Sequence, residues 1–257
     1  MTDERATLLQ AVSELAALAG AIALEHFRPG ISVETKGDGS PVTLADRSAE
    51  RAAREWLSQK FPDDAVLGEE FGEERGGARR RWLIDPIDGT KSFVRHVPLW
   101  GTLIAVEEEG KVLAGAACYP AVDELVAAGV GQGCWHNGSR CSVSQVSSLS
   151  AATVLTTSAR FKSSARRRAA WAALESNSYI ARTWGDCYGY LLVATGRAEA
   201  MFDDAASAWD VACFQPIIEE AGGVLTDFRG ERTPFGGSVI ATNRALANNI
   251  RAIMNDN

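Results

Sequence analysis

The sequence predicts a layered α+β protein, and three observations carry that prediction. The chain of 257 residues is 46% hydrophobic and 23% charged, which is the composition of a globular protein with a substantial core. Short apolar runs of strand length dominate its first half, whereas helical and strand patterns alternate in its second half. This arrangement is typical of sheets packed against layers of helices.

The first half opens with a predicted helix over residues 4–28, because apolar residues recur there at helical spacing. A second helix is predicted to run to about Lys60, and the spacing of Thr43 and Asp46 gives it a capping-box start. The other apolar runs of this half have the length of strands. They cover residues 31–36, Ala65–Gly68, Trp82–Ile84, Thr102–Val106, Val112–Cys118 and Leu125–Val130.

The second half is predicted to alternate between helices and strands. The predicted helices cover residues 165–176, 186–196, 209–221 and Ala245–Met254, and the predicted strands cover residues 198–203, 223–227 and 238–242. Pro216 lies inside the third of these helices, which is therefore expected to kink or restart there. The polar stretch Val143–Ser150 is too short for an independent linker. We therefore predict one domain over residues 1–257, with a first half of about 1–145 and a second half of about 150–257.

Charge and cysteine usage restrict the partners and the compartment. Acidic residues outnumber basic ones by 33 to 26, and the resulting charge of −7 argues against nucleic acid or an anionic membrane as a partner. The five cysteines form no C-x-x-C pair, which favours reduced thiols. The N-terminus lacks the basic start of a signal peptide, and no apolar run of membrane-spanning length is expected. A cytoplasmic protein is predicted.

The most informative segment is Trp82–Lys91, in which an apolar strand ends directly at two carboxylates, Asp85 and Asp88. Hard divalent cations such as Mg²⁺ prefer oxygen ligands in a fixed array, and Pro86 stiffens the link between the two acids. Gly89 permits a close backbone approach, and the following helix start offers unpaired N–H groups to a phosphate. The alternative is an Asp-Pro turn followed by a capping aspartate.

Three further acidic segments lie at the ends of predicted elements. Glu69-Glu70 follows a strand, while Asp46 and Asp210 lie at helix starts, where capping is the alternative role. Together these acids indicate a converging carboxylate cluster. Such a cluster repels itself unless cations neutralise it.

The order and spacing of these motifs resemble the inositol monophosphatase family of Mg²⁺-dependent, lithium-sensitive phosphatases. The resemblance is carried by Gly68-Glu69-Glu70, by Asp-Pro-Ile-Asp-Gly-Thr at residues 85–90, and by Trp209-Asp210 ahead of a helix. Lys36 and Asp46 match an upstream lysine and aspartate of the family pattern. The resemblance implies a layered α/β/α/β/α fold with two mixed or antiparallel sheets between helices. It also implies a homodimer.

The resemblance further implies roles for individual residues. Two or three Mg²⁺ ions would be held by Glu69, Asp85, Asp88, Asp210 and the carbonyl oxygen of Ile87. Thr90, paired with Asp46, would help deprotonate and aim a metal-activated water that attacks phosphorus directly. Glu70 would act beside them as a further catalytic residue, and the N–H groups of Gly89 and Thr90 would bind the phosphate.

Two other classes of protein are disfavoured by the residues themselves. Haloacid dehalogenase phosphatases also carry an Asp-x-Asp-Gly-Thr signature, but here Pro86 and Ile87 separate the acids, and one extra residue in a strand changes the face that the second acid occupies. A metal-binding protein that had lost catalysis would show a broken set of ligands. That set is complete in this chain: Glu69, Asp85, Asp88, Thr90 and Asp210.

The segment upstream of Trp209-Asp210 bears on the substrate. Asp186, Trp184 and Asp203 replace the residues usual in inositol-type members of the family, and two carboxylates with an indole suit a cationic, ring-bearing alcohol. The segment is similar to that of the histidinol-phosphate phosphatases of this family, which implies hydrolysis of the phosphomonoester L-histidinol phosphate in histidine biosynthesis. The alternatives are an inositol-1-phosphate or broader sugar-phosphate substrate, with a capping role for Asp186 and a packing role for Trp184. The predicted substrate contacts are Asp88, Trp184, Asp186, Asp203 and Asp210.

Overall fold

The computed structural model describes residues 2–28, 33–35, 41–162 and 164–254. The helices are α1 (Thr2–Glu25), α2 (Leu44–Lys60), α3 (Thr90–Phe93), α4 (Ala165–Asn177), α5 (Cys187–Ala194), α6 (Ala208–Val211), α7 (Phe214–Glu220) and α8 (Ala247–Met254). The strands of the first half are β1 (Val33–Thr35), β2 (Pro41–Thr43), β3 (Ala65–Gly68), β4 (Gly72–Glu74), β5 (Arg80–Asp88), β6 (Gly101–Glu108), β7 (Lys111–Tyr119), β8 (Glu124–Gly129), β9 (Gly133–His136) and β10 (Ser139–Arg140). Those of the second half are β11 (Thr153–Thr156), β12 (Ile180–Arg182), β13 (Ala200–Asp203), β14 (Val224–Thr226) and β15 (Val239–Thr242).

Two large sheets organise the chain. The first has eight strands in the order β10-β9-β8-β7-β6-β5-β3-β4, and its strands are antiparallel except for the parallel pair β3 and β5. The second has five strands in the order β12-β11-β13-β15-β14, in which β11 runs parallel to both of its neighbours. Strands β1 and β2 form a separate antiparallel pair.

Alternation along the central strands separates three hydrophobic cores. Trp82 and Ile84 of β5 face the core beneath α1 and α2, whereas Leu83 faces the core that contains α5 and α7. Met201 of β13 belongs to this second core, and its neighbour Phe202 faces a third core beneath α4 and α8. Successive residues of a strand point to opposite faces, so each sheet is buried on both sides. The result is the predicted order of layers, α/β/α/β/α.

Helix α1 corrects one expectation from the sequence. Over Glu4–Glu25 it is long and apolar enough to cross a membrane by length and composition, although no such run was expected. One stripe of the helix, which includes Leu8, Val12, Leu15 and Ala19, is buried in the core against the eight-stranded sheet and α2. Burial of this kind is the behaviour of a core helix in a layered fold.

Most predicted elements are present with shifted ends, and the short strands were missed. Helix α1 covers Thr2–Glu25 instead of residues 4–28, and the strand predicted at 31–36 is described only at Val33–Thr35. The matched Lys36 lies outside the described residues. Strands β2, β4, β9, β10, β11 and β12 were not predicted. Each has two to four residues, which is too few for a periodic pattern to emerge.

The helix predicted over residues 209–221 is two helices, α6 and α7. The chain changes course at Ala212 and Cys213, and Pro216 then falls in the first turn of α7. Proline is tolerated in the first turn because the N–H groups there have no partner within the helix. The restart was predicted, and α7 begins at Phe214, two residues before Pro216.

The α6–α7 junction lies directly on the eight-stranded sheet at Gly115 of β7. A Cβ atom at Gly115 would lie 2.3 Å from the carbonyl oxygen of Cys213 and 2.5 Å from its Cα. Backbone atoms cannot move aside as a flexible side chain can. The sheet and the junction therefore approach this closely only because residue 115 has no side chain.

We expect Gly115→Ala to lower the free energy of unfolding by about 1–3 kcal/mol, because the new methyl group must displace the α6–α7 junction. Urea denaturation measures the change. Gly77→Ala is the matched control, since a Cβ atom at Gly77 meets nothing within 4 Å. Equal stability of the two variants would contradict the close contact.

Candidate active site

The first two acids of the site come from the end of β5, which is hydrogen-bonded to β3 on one side and to β6 on the other. Asp85 and Asp88 are three residues apart and would face opposite sides of a regular strand. The pairing of β5 with β6 shifts register between them, and both side chains line one cavity of about 180 Å³. Asp85 is oriented locally, because its Oδ1 accepts a 3.0 Å hydrogen bond from the Ile87 N–H.

Asp210 joins these two acids from α6. Its Oδ2 accepts the Ser207 N–H at 2.8 Å, so the capping role that the sequence allowed is real. The capping contact also aims the side chain at β5. One carboxylate oxygen from each of Asp85, Asp88 and Asp210 lies within 4.8 Å of the other two. Capping and site formation are therefore compatible functions of the same side chain.

Glu69 completes the wall of this cavity, and its neighbour Glu70 lies outside it. The Glu69 N–H donates to the Ile84 carbonyl at 3.1 Å, which extends the pairing of β3 with β5 by one residue. Its side chain lines the cavity with the three aspartates. Glu70 is half-buried and does not line the cavity. Its predicted catalytic role therefore remains a prediction.

Glu50 of α2 holds the Glu69–Glu70 segment in place, and the sequence analysis missed it. Its side chain is fully buried and accepts the N–H groups of Glu70 at 2.7 Å and Phe71 at 3.3 Å. Arg54 pairs with the same carboxylate at 2.8 Å. A signal was available, because Glu50 occupies a position in the buried stripe of α2 that is otherwise mostly apolar.

The first turn of α3 closes the opposite side of the cavity, which is lined there by Gly89, Thr90 and Lys91. Gly89 has a φ of 87°, and a Cβ atom there would lie 3.1 Å from the Leu99 carbonyl oxygen. Residue 89 must therefore be glycine, because of its positive φ and because a side chain would approach the Leu99 carbonyl oxygen. Gly89 and Thr90 line the cavity, and their predicted binding of phosphate stays a prediction.

The predicted pairing of Thr90 with Asp46 is wrong for this structure. The Thr90 hydroxyl donates to the Ile87 carbonyl oxygen at 3.0 Å. Asp46 instead accepts the N–H and the hydroxyl of Thr43 through its Oδ2, at 2.8 and 2.7 Å, in the predicted capping box. Local bonds formed with neighbours in sequence thus replace the longer-range pair. The other oxygen of Asp46 is buried without a hydrogen-bond partner.

A smaller cavity of about 80 Å³ adjoins the first and shares Asp88, Asp186 and Asp210 with it. Asp186 occupies the N-cap position of α5, yet its side chain makes no capping bond. Its backbone has a φ of 49°, and its N–H donates to the Thr157 hydroxyl at 2.8 Å. The side chain of Asp186 therefore faces the two cavities and does not cap the helix. The next N–H along, from Cys187, donates to the Asp88 carboxylate.

Asp203 lies on the far wall of the smaller cavity. Its Oδ2 accepts the Tyr190 hydroxyl at 2.5 Å, and burial raises its pKa to about 7.

Trp184 does not line either cavity: its side chain is 43% exposed, with the Arg182 guanidinium 6.0 Å from the indole ring. Sequence reasoning missed Thr157 and Tyr190, which are uncharged and carry no motif signal.

Electrostatics make the cation-free cluster unfavourable. Burial raises the pKa of Asp85 well above its usual value, and the negative charges of Glu69, Asp88 and Asp210 raise it further. Burial and the charge of Asp186 act in the same direction on Asp88. Burial raises the pKa of Asp210 to about 6. Oxygen ligands gathered at this density fit a hard divalent cation, which would remove most of the repulsion.

Comparison with known proteins assigns the chain to a protein family. The sequence profile of the inositol monophosphatase family matches residues 4–256. The chain belongs to this family. A relative named "Histidinol-phosphatase" from Chlorobaculum parvum is 44% identical over 95% of both chains, and one with the same name from Mycobacterium tuberculosis is 37% identical over 88% of both. The extragenic suppressor protein suhB from Bartonella henselae has the same fold, with a TM-score of 0.91, 27% identity, and coverage of 97% of this chain and 99% of that one.

Membership of the inositol monophosphatase family confirms two interpretations of the sequence. The predicted resemblance is correct over nearly the whole chain, and the chain is a phosphoric monoester hydrolase of this family. The family is metal-dependent, and the cluster of Asp85, Asp88 and Asp210 offers oxygens that could hold an ion. The haloacid dehalogenase alternative is thereby excluded, as the spacing of the two acids predicted.

Mg²⁺ should stabilise this protein more strongly at about pH 7.5 than at about pH 5. A carboxyl whose folded pKa lies above its unfolded value binds more protons when folded. Stability of the cation-free protein therefore falls as pH rises from 3.8 through about 6 for Asp210. At Mg²⁺ concentrations of about 100 times Kd the gain is about 2.7 kcal/mol. Thermal melts with EDTA or Mg²⁺ at both pH values measure it, and a shift that does not grow with pH would contradict the charge repulsion.

Proposed function

We propose that the chain hydrolyses L-histidinol phosphate to L-histidinol and phosphate, as a Mg²⁺-dependent enzyme of histidine biosynthesis. The observation that carries the substrate is the acidic cavity beside the metal-site acids. It is lined by Asp186 and Asp203 together with Asp88 and Asp210. The name of the 44% identical relative from Chlorobaculum parvum supports the same substrate.

The donor set fits Mg²⁺, and Glu69, Asp85, Asp88, Asp210 and the Ile87 carbonyl oxygen would hold two or three ions. All five are oxygen donors, and three of them already converge within 4.8 Å. Bound Mg²⁺ would supply Lewis-acid activation of water and charge neutralisation of the phosphate.

The protein's own groups would bind and orient the phosphate ester. The first turn of α3 presents the backbone of Gly89 and Thr90 at the cavity wall, where N–H groups can receive phosphate oxygens. The Thr90 hydroxyl is fixed by its bond to the Ile87 carbonyl oxygen, and we propose that it aims the attacking water. Asp46 and Glu70 would assist the activation of that water as further catalytic residues. No side chain is needed as the nucleophile.

The acidic cavity would receive the cationic part of the substrate. Histidinol phosphate carries an ammonium group close to its phosphate ester, and the cavity adjoins the predicted phosphate position. Asp203 and Asp186 can pair with that ammonium by charge-assisted hydrogen bonds. The Tyr190 hydroxyl holds the Asp203 carboxylate, and the hydrogen bond from the Asp186 N–H to the Thr157 hydroxyl holds the backbone that carries the second carboxylate. Trp184, which lies outside both cavities, would contact the imidazole only from the rim.

We also propose, from the resemblance to the family, that the enzyme is a cytoplasmic homodimer. Its net charge of −7 supports a small phosphate ester as the partner in place of nucleic acid. The phosphate is negative, so it needs the cation and the N–H groups of α3 to enter an acidic site.

Asp85→Asn should lower kcat by at least ~100-fold while the protein remains folded. The amide keeps the shape of the side chain but supplies no negative charge to a cation. Because one buried repulsive charge is lost, the melting temperature in EDTA should not fall, and the Mg²⁺-induced rise should shrink. Asp63→Asn, at an exposed position, is the control. Full turnover by Asp85→Asn would refute the metal-site assignment.

Wild-type protein should release phosphate faster from histidinol phosphate than from inositol 1-phosphate. Asp186→Ala and Asp203→Asn should each raise KM for histidinol phosphate by about 10-fold or more, because each removes a charge-assisted hydrogen bond of about 1.5–3 kcal/mol. Their effect on inositol 1-phosphate should be much smaller. A malachite-green phosphate assay measures all of these rates. Preference of the wild type for inositol 1-phosphate would favour the alternative substrate class.

A further inference from the structure

The hairpin formed by β9 and β10 brings two cysteines face to face. Ser139 pairs with His136 and Arg140 with Trp135, so Cys134 and Cys141 are the next facing pair. The Cys141 N–H donates to the Cys134 carbonyl at 3.1 Å. Facing residues that share such a bond have Cα atoms about 5.5 Å apart, which lies inside the range that a disulfide spans. Their Sγ atoms are 3.3 Å apart.

The two thiols differ in access and in charge environment. Cys134 is 1% exposed and packs in the core, whereas Cys141 is half-buried and can be reached from solvent. The hydrogen bond between the two thiols lowers the pKa of Cys141, and the Arg197 guanidinium lowers it further. The same hydrogen bond, together with burial, raises the pKa of Cys134. Cys141 is therefore the thiol that a reagent meets first, in its more reactive thiolate form.

The other three cysteines have the opposite character. Cys118, Cys187 and Cys213 are all buried. Burial raises the pKa of Cys118 to about 11 and shifts the pKa values of Cys187 and Cys213 well upward. Thiols that are buried and protonated react slowly, so the reactivity of the chain is concentrated at the hairpin.

We propose that Cys134 and Cys141 are a redox-active dithiol that low-molecular-weight disulfides oxidise to an intrachain disulfide. The site needs no movement of the backbone, because the register of β9 and β10 already sets the required spacing.

The reaction proceeds by two exchanges. The Cys141 thiolate attacks one sulfur of the small disulfide, forms a mixed disulfide and releases one thiolate. Cys134 then loses its proton and attacks the Cys141 sulfur, which forms the intrachain bond and releases the second thiolate. The protein loses two electrons and two protons, and the small disulfide gains both to become two thiols.

The disulfide would close the hairpin at its open end. There the chain leaves the eight-stranded sheet toward Val143, whose N–H donates to the carbonyl of Ala221 at the end of α7. Strand β10 is an edge strand of only two residues, so a cross-link supports pairing that is otherwise weak. The hairpin lies at one end of the strand order, and β8, β7 and β6 separate it from β5, which carries Asp85 and Asp88. Oxidation should therefore leave turnover unchanged.

Incubation of the native full-length protein with excess oxidised glutathione tests the site. The number of titratable thiols should fall from five to three, and added dithiothreitol should restore it. A tryptic digest under non-reducing conditions should contain peptide Val112–Arg140 joined to Cys141–Arg160. Fragmentation should place the bond at Cys134, because Cys118 lies in the same peptide. Phosphatase activity before and after oxidation should agree within about twofold.

Cys141→Ser and Cys118→Ser are the matched variants. Cys141→Ser should keep all of its remaining thiols after oxidation, whereas Cys118→Ser should still lose two. Retention of all five thiols by the wild type would overturn the proposal. A stable glutathione adduct on Cys141, or a bond that joins Cys118 or two chains, would overturn it equally.

Discussion

Mutual repulsion among three converging carboxylates is the constraint on which the rest of this structure depends. Asp85, Asp88 and Asp210 bring oxygens within 4.8 Å of one another in a site that burial makes unfavourable for charge. Each side chain is held there by one backbone N–H group, from Ile87, Cys187 and Ser207 respectively. These short local bonds keep the acids in position until a cation neutralises them. A bound cation relieves this repulsion, and the relief contributes to the free energy of cation binding.

The layered fold supplies the rigidity that this arrangement needs. Strand β5 lies inside the eight-stranded sheet and is covered on both faces, so the backbone that carries Asp85 and Asp88 cannot shift without disturbing two cores. The α6–α7 junction is held against β7 at Gly115, which fixes the approach of Asp210. From the other side, the buried Glu50 of α2 fixes the segment of Glu69. Helix α2, the eight-stranded sheet and the α6–α7 junction therefore all help to position the acids of the site.

The two cavities take most of their lining from different halves of the chain. The wall at β5 and α3 belongs to the first half, whereas Asp186 and Asp203 come from the N-cap of α5 and from β13 in the second. A change at these two positions can therefore alter the charge of the smaller cavity without moving β5. This separation agrees with a family in which relatives of similar fold carry different names, such as "Histidinol-phosphatase" and "Inositol-1-monophosphatase".

The sequence by itself determined the layered fold class, most of the longer elements, the capping box of α2 and the acids that meet at the larger cavity. These features depend on periodicity and on residues close together along the chain, which the sequence displays directly. Only the tertiary structure decided that a register shift turns Asp85 and Asp88 into one cavity. It also decided that the Thr90 hydroxyl donates to the Ile87 carbonyl oxygen instead of pairing with Asp46, and that Trp184 stays outside both cavities. It also revealed Glu50 and the facing of Cys134 and Cys141. Such facts arise from the pairing and packing of segments distant in sequence or from short hairpins with no periodic signal, and no local pattern encodes them.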